Sequence, residues 1–596
     1  MHRARSAFSP TLWMLATSFI RYVLKINAGA VTLPFEIEGS FLRSLNCHGG
    51  RQRPQRLHDV GEGAAMAFAI QQESSTVRQG RNSTRSSSDC WPPRETAAKY
   101  TPGKRDVYFL GITIVIGGQY LGWNEGASAG LYSFLLAFLL IGSAYITLCC
   151  CLAEITGALP FAGGSYGLAR CTLGFYPAFM IGCSETLEYT AYVSAAVVSL
   201  GELLTEAVPG LEPYRPLLWL LFYATALFIH IKGDRVFWLA NLILGIASLS
   251  IFVLYCLGSL PYVSFSTYAV DSNLEFVDGF SGFMKALPLA AWFFVGVEAL
   301  SLASDQVDQP KKIIPIAQVS CVVTLFVTGL AVLLVTVSLP PGLAALPSLL
   351  FPLESGFTLL FHFSRHTAIF LALPATYATA FGFMWCYGKL IVAMGKSRLL
   401  LPFVTWTTPT SQTPYAALLL GSACSYALCL IVYFVPSLTS NLFGVCMLSA
   451  STAYVGQCVG YISLKRNYRN IKSSEFRSPW GIAGAVYSMG VWLLTIVAIV
   501  AFQDKGLVDV LGFLLMISLL SLYYFGYARK RQTFSAEENR VMLVAHVTKF
   551  NANRVAVGRQ KRHLKSGSDS QHTGGSDKAK KTLKDGVKTS KPATKR

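Results

Sequence analysis

Between about residue 105 and about residue 528 the chain repeats one pattern: an apolar run of some 20 residues, then a short break carrying charge, proline or both. Runs of that length cross a hydrocarbon core when helical. About twelve can be counted, centred roughly near residues 118, 142, 190, 222, 248, 294, 327, 380, 424, 450, 492 and 517. The pattern predicts an all-α polytopic membrane protein with about twelve transmembrane helices. It also divides the chain into a basic N-terminal tail (1–104) with one short apolar segment, a transmembrane domain (105–528) and a basic C-terminal tail (529–596), both tails expected to be disordered.

The polar breaks sort by sign. One set carries Arg170; Lys232 and Arg235; Lys311 and Lys312; Lys396 and Arg398; and Lys465, Arg466, Arg469, Lys472 and Arg477. The alternate set carries Glu125; Glu202, Glu206 and Glu212; Asp271, Glu275 and Asp278; and Glu354, with Arg215, Arg365 and Lys505 as exceptions. Cytosolic loops are the ones enriched in lysine and arginine, so the expectation is an even number of spans with both termini in the cytosol; the plasma membrane is the default residence, with an organelle left open by the N-terminal run. That orientation leaves the glycosylation sequon Asn82-Ser83-Thr84 on the wrong side of the membrane. The first 26 residues, MHRARSAFSPTLWMLATSFIRYVLKI, read as a targeting segment or as an extension without a structural role.

Composition changes the picture little. Fifty lysines and arginines against 31 acids give a net charge of +19, but much of it lies in the tails, as in KDGVKTSKPATKR. Solvated tails, with lysines touching anionic lipid headgroups, account for it better than nucleic acid does. The 14 cysteines fall mostly in apolar runs, Cys149, Cys150 and Cys151 consecutively, at spacings that suggest neither disulfides nor a metal site, and no cofactor is expected.

Two of the runs interrupt themselves. GITIVIGGQYLGWNEG (111–126) places Gly117, Gly118 and Gln119 inside the first, and PLAAWFFVGVEALSLASD (288–305) places Pro288, Gly296 and Glu298 inside the sixth. Hydrocarbon tolerates irregular backbone only inside protein or beside a polar cavity. Interruptions at matching places five spans apart point to a five-plus-five inverted repeat, with broken helices 1 and 6 around a substrate site at mid-membrane. Taken singly, each glycine reads equally well as a point of close helix packing.

The candidate chemistry gathers around these breaks. Gly117, Gly118, Gln119 and Tyr120 are expected to offer backbone and polar groups from the first helix, and Trp292, Phe293, Gly296 and Glu298 from the sixth. In SETLEYTAYVSA, Glu185, Glu188, Tyr189 and Tyr192 share one helical face. An intramembrane carboxylate faces a cavity or a partner, so Glu188 is the candidate counter-charge for an ammonium group, with the tyrosines adding cation–π contacts; a structural link to another helix is the alternative. Glu298 is open to three roles: substrate contact, proton relay or cap of the broken helix. Glu154 and Asp305 lie near the basic ends of their helices and suit an inner gate or network with Lys311 or Arg170, which Lys389 joins.

Three stretches carry a resemblance. AEITGALPFAGGSYGLARCTLGFYPAF (153–179), DQVDQPKKIIP (305–315) and GKLIVAMGKSRLLLP (388–402) resemble, in this order, motifs of the amino acid–polyamine–organocation permease superfamily, with Lys389 where an arginine is usual. The resemblance spans roughly residues 105–525 and is most like the ethanolamine permease branch in GGQYLGWN, the Glu188-Tyr189 pair and WFFVGVEAL. It implies a secondary transporter working by alternating access, driven by protons or by exchange. Amino acid permeases usually carry a small hydroxyl-bearing turn, G-[ST]-G, whose N–H groups hold a substrate carboxylate. Gln119 at its third position favours a substrate without one, such as ethanolamine, with a neutral or cationic amino acid as the alternative. A membrane-embedded enzyme is disfavoured, because the nine histidines lie mostly in tails and loops. A nutrient sensor built on the same fold and signalling through its tails is the competing class.

Overall fold

The computed structural model describes residues 100–550 other than 271–273, 410, 469, 470, 472, 474 and 549, together with residue 554. The N-terminal expectations, including the targeting segment and the sequon, lie outside the described residues, as does the end of the chain from 555.

The helices that build the spans are α1 (Lys104–Tyr120), α2 (Leu131–Ala158), α3 (Phe175–Ala207), α4 (Arg215–Lys232), α5 (Asp234–Gly258), α6 (Gly279–Ala286), α7 (Pro310–Val337), α8 (Leu373–Lys396), α9 (Tyr415–Phe434), α10 (Thr439–Asn467), α11 (Gly481–Phe502) and α12 (Gly506–Tyr523). The sixth span continues past α6 as two 3₁₀ stretches, Leu289–Phe293 and Val297–Asp305. Among the described residues, ten helical segments are long and apolar enough to cross a membrane. The other two spans, α1 and α3, fall short for chemical reasons. α1 stops after 17 residues, and α3 is diluted by Glu185, Glu188, Glu202, Glu206 and its hydroxyls. The architecture is that of a polytopic all-α membrane protein.

Helices pack in pairs that recur five elements later. α1 lies on α7 and the sixth span lies on α2; α5 lies on α8 and α10 on α3; α3 lies on α4 and α8 on α9. Because five is odd, equivalent spans run in opposite directions: α1 starts at the basic end with Lys104 and Arg105, and α6 starts at the acidic end just after Asp278. This is the contact pattern of an inverted repeat, with α11 and α12 outside it, α11 against α2 and α10 and α12 against α10.

Burial follows the membrane rather than water. α4, α5 and α12 expose Leu217, Leu221, Phe228, Ile243, Leu257, Leu515 and Leu522, while Glu188 and Gln119 are fully enclosed. Two cations at the acidic end are neutralised locally: Arg215 pairs with Glu212 at 2.8 Å and Arg365 with Glu354 at 3.0 Å. One expectation shifts. Past residue 528 the described chain continues to residue 550, a helix occupies 536–548, and this segment docks on the basic end through Arg170 and Ser397.

Candidate functional site

α1 does not break where its glycines stand. The helix runs unbroken through Gly117, Gly118 and Gln119 to Tyr120, and the interruption falls at Leu121 (extended) and Gly122 (φ +86°) before a 3₁₀ stretch, Trp123–Ala129. The glycines serve proximity instead. Gly117 N–H donates to Thr379 Oγ1 of α8 at 2.7 Å, and a side chain at Gly118 would strike the carbonyl of Trp292. Gln119 is committed to protein: Nε2 donates to the carbonyls of Leu325 (2.8 Å) and Phe293 (3.2 Å), and Oε1 accepts from Thr328 (2.9 Å). The amide expected to meet substrate thus ties α1 to α7 and to the unwound sixth span. Tyr120 likewise turns to α5, donating to the Ser248 carbonyl at 2.8 Å.

The sixth span is unwound where the sequence placed it. Gly296 has φ +95°, and a side chain there would overlap Ile114 of α1 and Phe383 of α8, so two requirements coincide at one glycine. Glu298 reaches back to the freed backbone: its Oε2 accepts from Gly296 N–H at 3.1 Å, while Oε1 accepts from Tyr189 at 3.3 Å. Of the candidate aromatic pair, Trp292 faces α3 and α10, edge-on to Tyr192 at 5.2 Å and stacked on Phe443 at 5.6 Å. Phe293 points the other way, into Phe138 (4.9 Å) and Trp123 (5.2 Å), and belongs to the packing against α2.

On α3, Glu188, Tyr189 and Tyr192 are all enclosed. The Tyr454 hydroxyl of α10 donates to Glu188 Oε1 in a very short hydrogen bond. Glu188 Oε2 has no hydrogen-bond partner, and neither Glu188 nor Glu298 has a lysine or arginine among its described partners. An enclosed carboxylate without a cation is costly, and a bound cation relieves that cost. Tyr192 stacks on Phe383 at 5.3 Å, so rings from α3, the sixth span and α8 stand around this region. Glu185, one turn earlier, is saturated: Ser165 donates to both oxygens (2.5 and 2.6 Å) and Gln457 to Oε1 (2.6 Å), which marks it as a link between the short helix Gly164–Thr172, α3 and α10.

Phe383, Phe443 and Tyr454 were not singled out from the sequence. An aromatic residue within an apolar run carries no mark that separates a site wall from ordinary packing, so their role depends on the neighbours that folding supplies.

At the basic end, Lys389 Nζ of α8 lies 2.5 and 2.6 Å from the oxygens of Asp305. Glu154 does not meet Lys311 or Arg170, the partners the sequence suggested: it accepts from Tyr461 and Lys465 of α10, each at 2.6 Å. Arg170 turns instead to Thr533 and Glu538 of the C-terminal segment.

Broken first and sixth spans with a carboxylate group between them on α3 are the arrangement of a secondary transporter. A family model described as amino acid permease matches residues 121–540. The chain belongs to the amino acid permease family. Over 333 residues the permease is 25% identical to an uncharacterized transporter of Rhizobium meliloti, covering 53% of this chain and 69% of that one. It is 24% identical over 448 residues to the methylthioribose transporter of Bacillus subtilis, 71% and 92% respectively, and 25% identical over 350 residues to the gamma-aminobutyric acid permease of Escherichia coli, 56% and 73%. Membership makes this permease an integral membrane transporter of the amino acid permease type, not an enzyme.

Proposed function

We propose that this permease carries a small solute with an ammonium group, ethanolamine or an amino acid, and that Glu188 is its counter-charge. The observation that carries the reading is the unpartnered, enclosed Glu188 Oε2 beside Tyr192, with Trp292 and Phe383 packed on that ring. A carboxylate paired with an aromatic face suits an alkylammonium ion. Gln119, engaged with α7 and the sixth span, is set aside as a substrate ligand. Gly296, Glu298, Trp292 and Tyr192 remain in the proposed site, and the Asp305–Lys389 pair is its gate toward the basic end.

Alternating access then amounts to rocking α1, α2, the sixth span and α7 against α3, α4, α8 and α9, driven by a proton gradient or by exchange. Glu298, bonded to both Tyr189 and the unwound backbone, is the residue best placed to report proton uptake to the sixth span. The charge pattern of the breaks supports an orientation with the basic end, and both termini, in the cytosol, and the plasma membrane is the proposed residence. The relatives named above are described as handling methylthioribose and gamma-aminobutyric acid, so family membership leaves the solute open.

The test is uptake by purified protein in liposomes. Labelled ethanolamine, a neutral amino acid and a basic amino acid are each offered with and without an inward proton gradient, to wild type and Glu188→Gln. Saturable uptake of an amine that the substitution abolishes supports the site, and full activity of Glu188→Gln on every solute would remove Glu188 from it. A sensor reading gains weight from the ordered C-terminal segment on the basic mouth. It predicts solute binding, seen as a rise in melting temperature, without uptake.

A further inference from the structure

The basic mouth is closed over by the protein's own C-terminal segment. Past α12 the chain turns back, and Ser535 and Glu538 form a reciprocal cap that starts the helix at 536: Ser535 N–H donates to Glu538 Oε2 at 2.7 Å, and Glu538 N–H donates to Ser535 Oγ at 3.1 Å. The same Glu538 carboxylate accepts from Ser397 Oγ, at the end of α8, at 3.1 Å on both oxygens. It also lies 3.3 Å from Arg170 Nε, in a pair whose side chains are 0% and 8% exposed. Thr533 N–H donates to the Ser397 carbonyl (3.0 Å) and its own carbonyl accepts from Arg170 (2.8 Å). Phe534 and Phe175 lie 5.0 and 4.5 Å from the Arg170 guanidinium. A solvated tail has no reason to enclose a charge this completely.

What the segment covers matters more than how it is held. Asp305, Lys389, Phe161 and Gly163 line a cavity of about 20 Å³ together with Ser535 and Glu538 of this segment. That is room for about one water molecule. A solute leaving the midplane past the Asp305–Lys389 pair meets this segment next.

We propose that residues 532–541 are an autoinhibitory latch. Docked, they hold the end of α8 to the helix Gly164–Thr172 and keep the basic mouth shut, and opening toward that side requires Glu538 to leave Arg170 and Ser397. The proposal rests on the alternating-access reading above, so its test has one arm that does not depend on transport.

The first arm measures labelling of an introduced cysteine, Ala393→Cys in the cavity wall, by a membrane-impermeant maleimide. Purified full-length protein is compared with Glu538→Gln and with a chain ending at Arg531, and the protein without the added cysteine supplies the background from native thiols. We expect labelling at least tenfold faster when the latch is weakened or removed, with the melting temperature retained. Unchanged labelling in a folded Glu538→Gln overturns the latch. Loss of fold in both variants also overturns it, because the segment is then part of the scaffold. The second arm measures uptake in liposomes, where the shortened chain is expected to turn over several-fold faster. Faster labelling without uptake of any solute upholds the latch and overturns the transport reading. Uptake by wild type with equal rates and equal labelling in both variants does the reverse.

Discussion

The carbonyl of Trp292 fills the space that a side chain on Gly118 would need. The first and sixth spans therefore meet backbone to backbone at this point. Backbone has no rotamer through which to yield, so any methyl group here forces the two segments apart.

Gly118→Ala is expected to lower stability by about 1–3 kcal/mol, the usual cost of overpacking, and to reduce uptake more than tenfold. Gly490 of α11 has open space around it, so Gly490→Ala is expected to be neutral or to stabilise by up to about 1 kcal/mol through helix propensity. Thermal unfolding in detergent compares the two. Equal melting temperatures would contradict the close approach.

Gln119→Leu separates a structural amide from a substrate ligand. It strands the carbonyl of Phe293 at a cost of about 1–3 kcal/mol, whereas the Leu325 carbonyl, inside α7, keeps Thr328. The expected outcome is a lower melting temperature with the apparent KM of the surviving protein within about twofold of wild type. A raised KM at unchanged stability returns Gln119 to the substrate.

Tyr454→Phe removes the donor on Glu188 Oε1 and leaves that carboxylate with neither oxygen satisfied. Stability without substrate is expected to fall by about 1–3 kcal/mol, and a saturating amine should restore more of the melting temperature than it does in wild type. Equal ligand-induced shifts would detach this carboxylate from the solute.

Lys389→Asp and Asp305→Lys each put like charges face to face where an ion pair now stands. Each alone is expected to reduce uptake about tenfold or more, equivalent to about 1.4 kcal/mol, and the double swap to recover a substantial part. Absence of recovery would assign Lys389 and Asp305 separate tasks.

The large features were legible because they are written in long patterns. Twelve runs, sorted loop charges and the unwound Gly296 all follow from residue type and approximate position, whereas Asp305 meets Lys389 and not the Lys311 or Arg170 that sequence position suggests. Partner choice was not. Glu154 takes Lys465 and Tyr461 from α10, more than 300 positions away, over Arg170, its neighbour in sequence. The GGQ stretch misled for a related reason. Glycine and a polar amide mark both a broken helix and a tightly packed one, and only the positions of Trp292, Thr379 and Leu325 decide between them. The order beyond residue 528 was hidden in short polar sequence whose capping box has meaning only when Arg170 and Ser397 stand opposite.

α8 and its C-terminal cap run past four of the places described above. Thr379 takes the N–H of Gly117, Phe383 carries the ring of Tyr192, Lys389 holds Asp305, and Ser397 at its end holds Glu538. Eighteen residues at a rise of about 1.5 Å place the first and last about 27 Å apart on one stiff rod. A push at either end of such a rod arrives at the other, so under the proposed site and latch, solute occupancy and the release of the C-terminal segment become readings of a single mechanical coordinate.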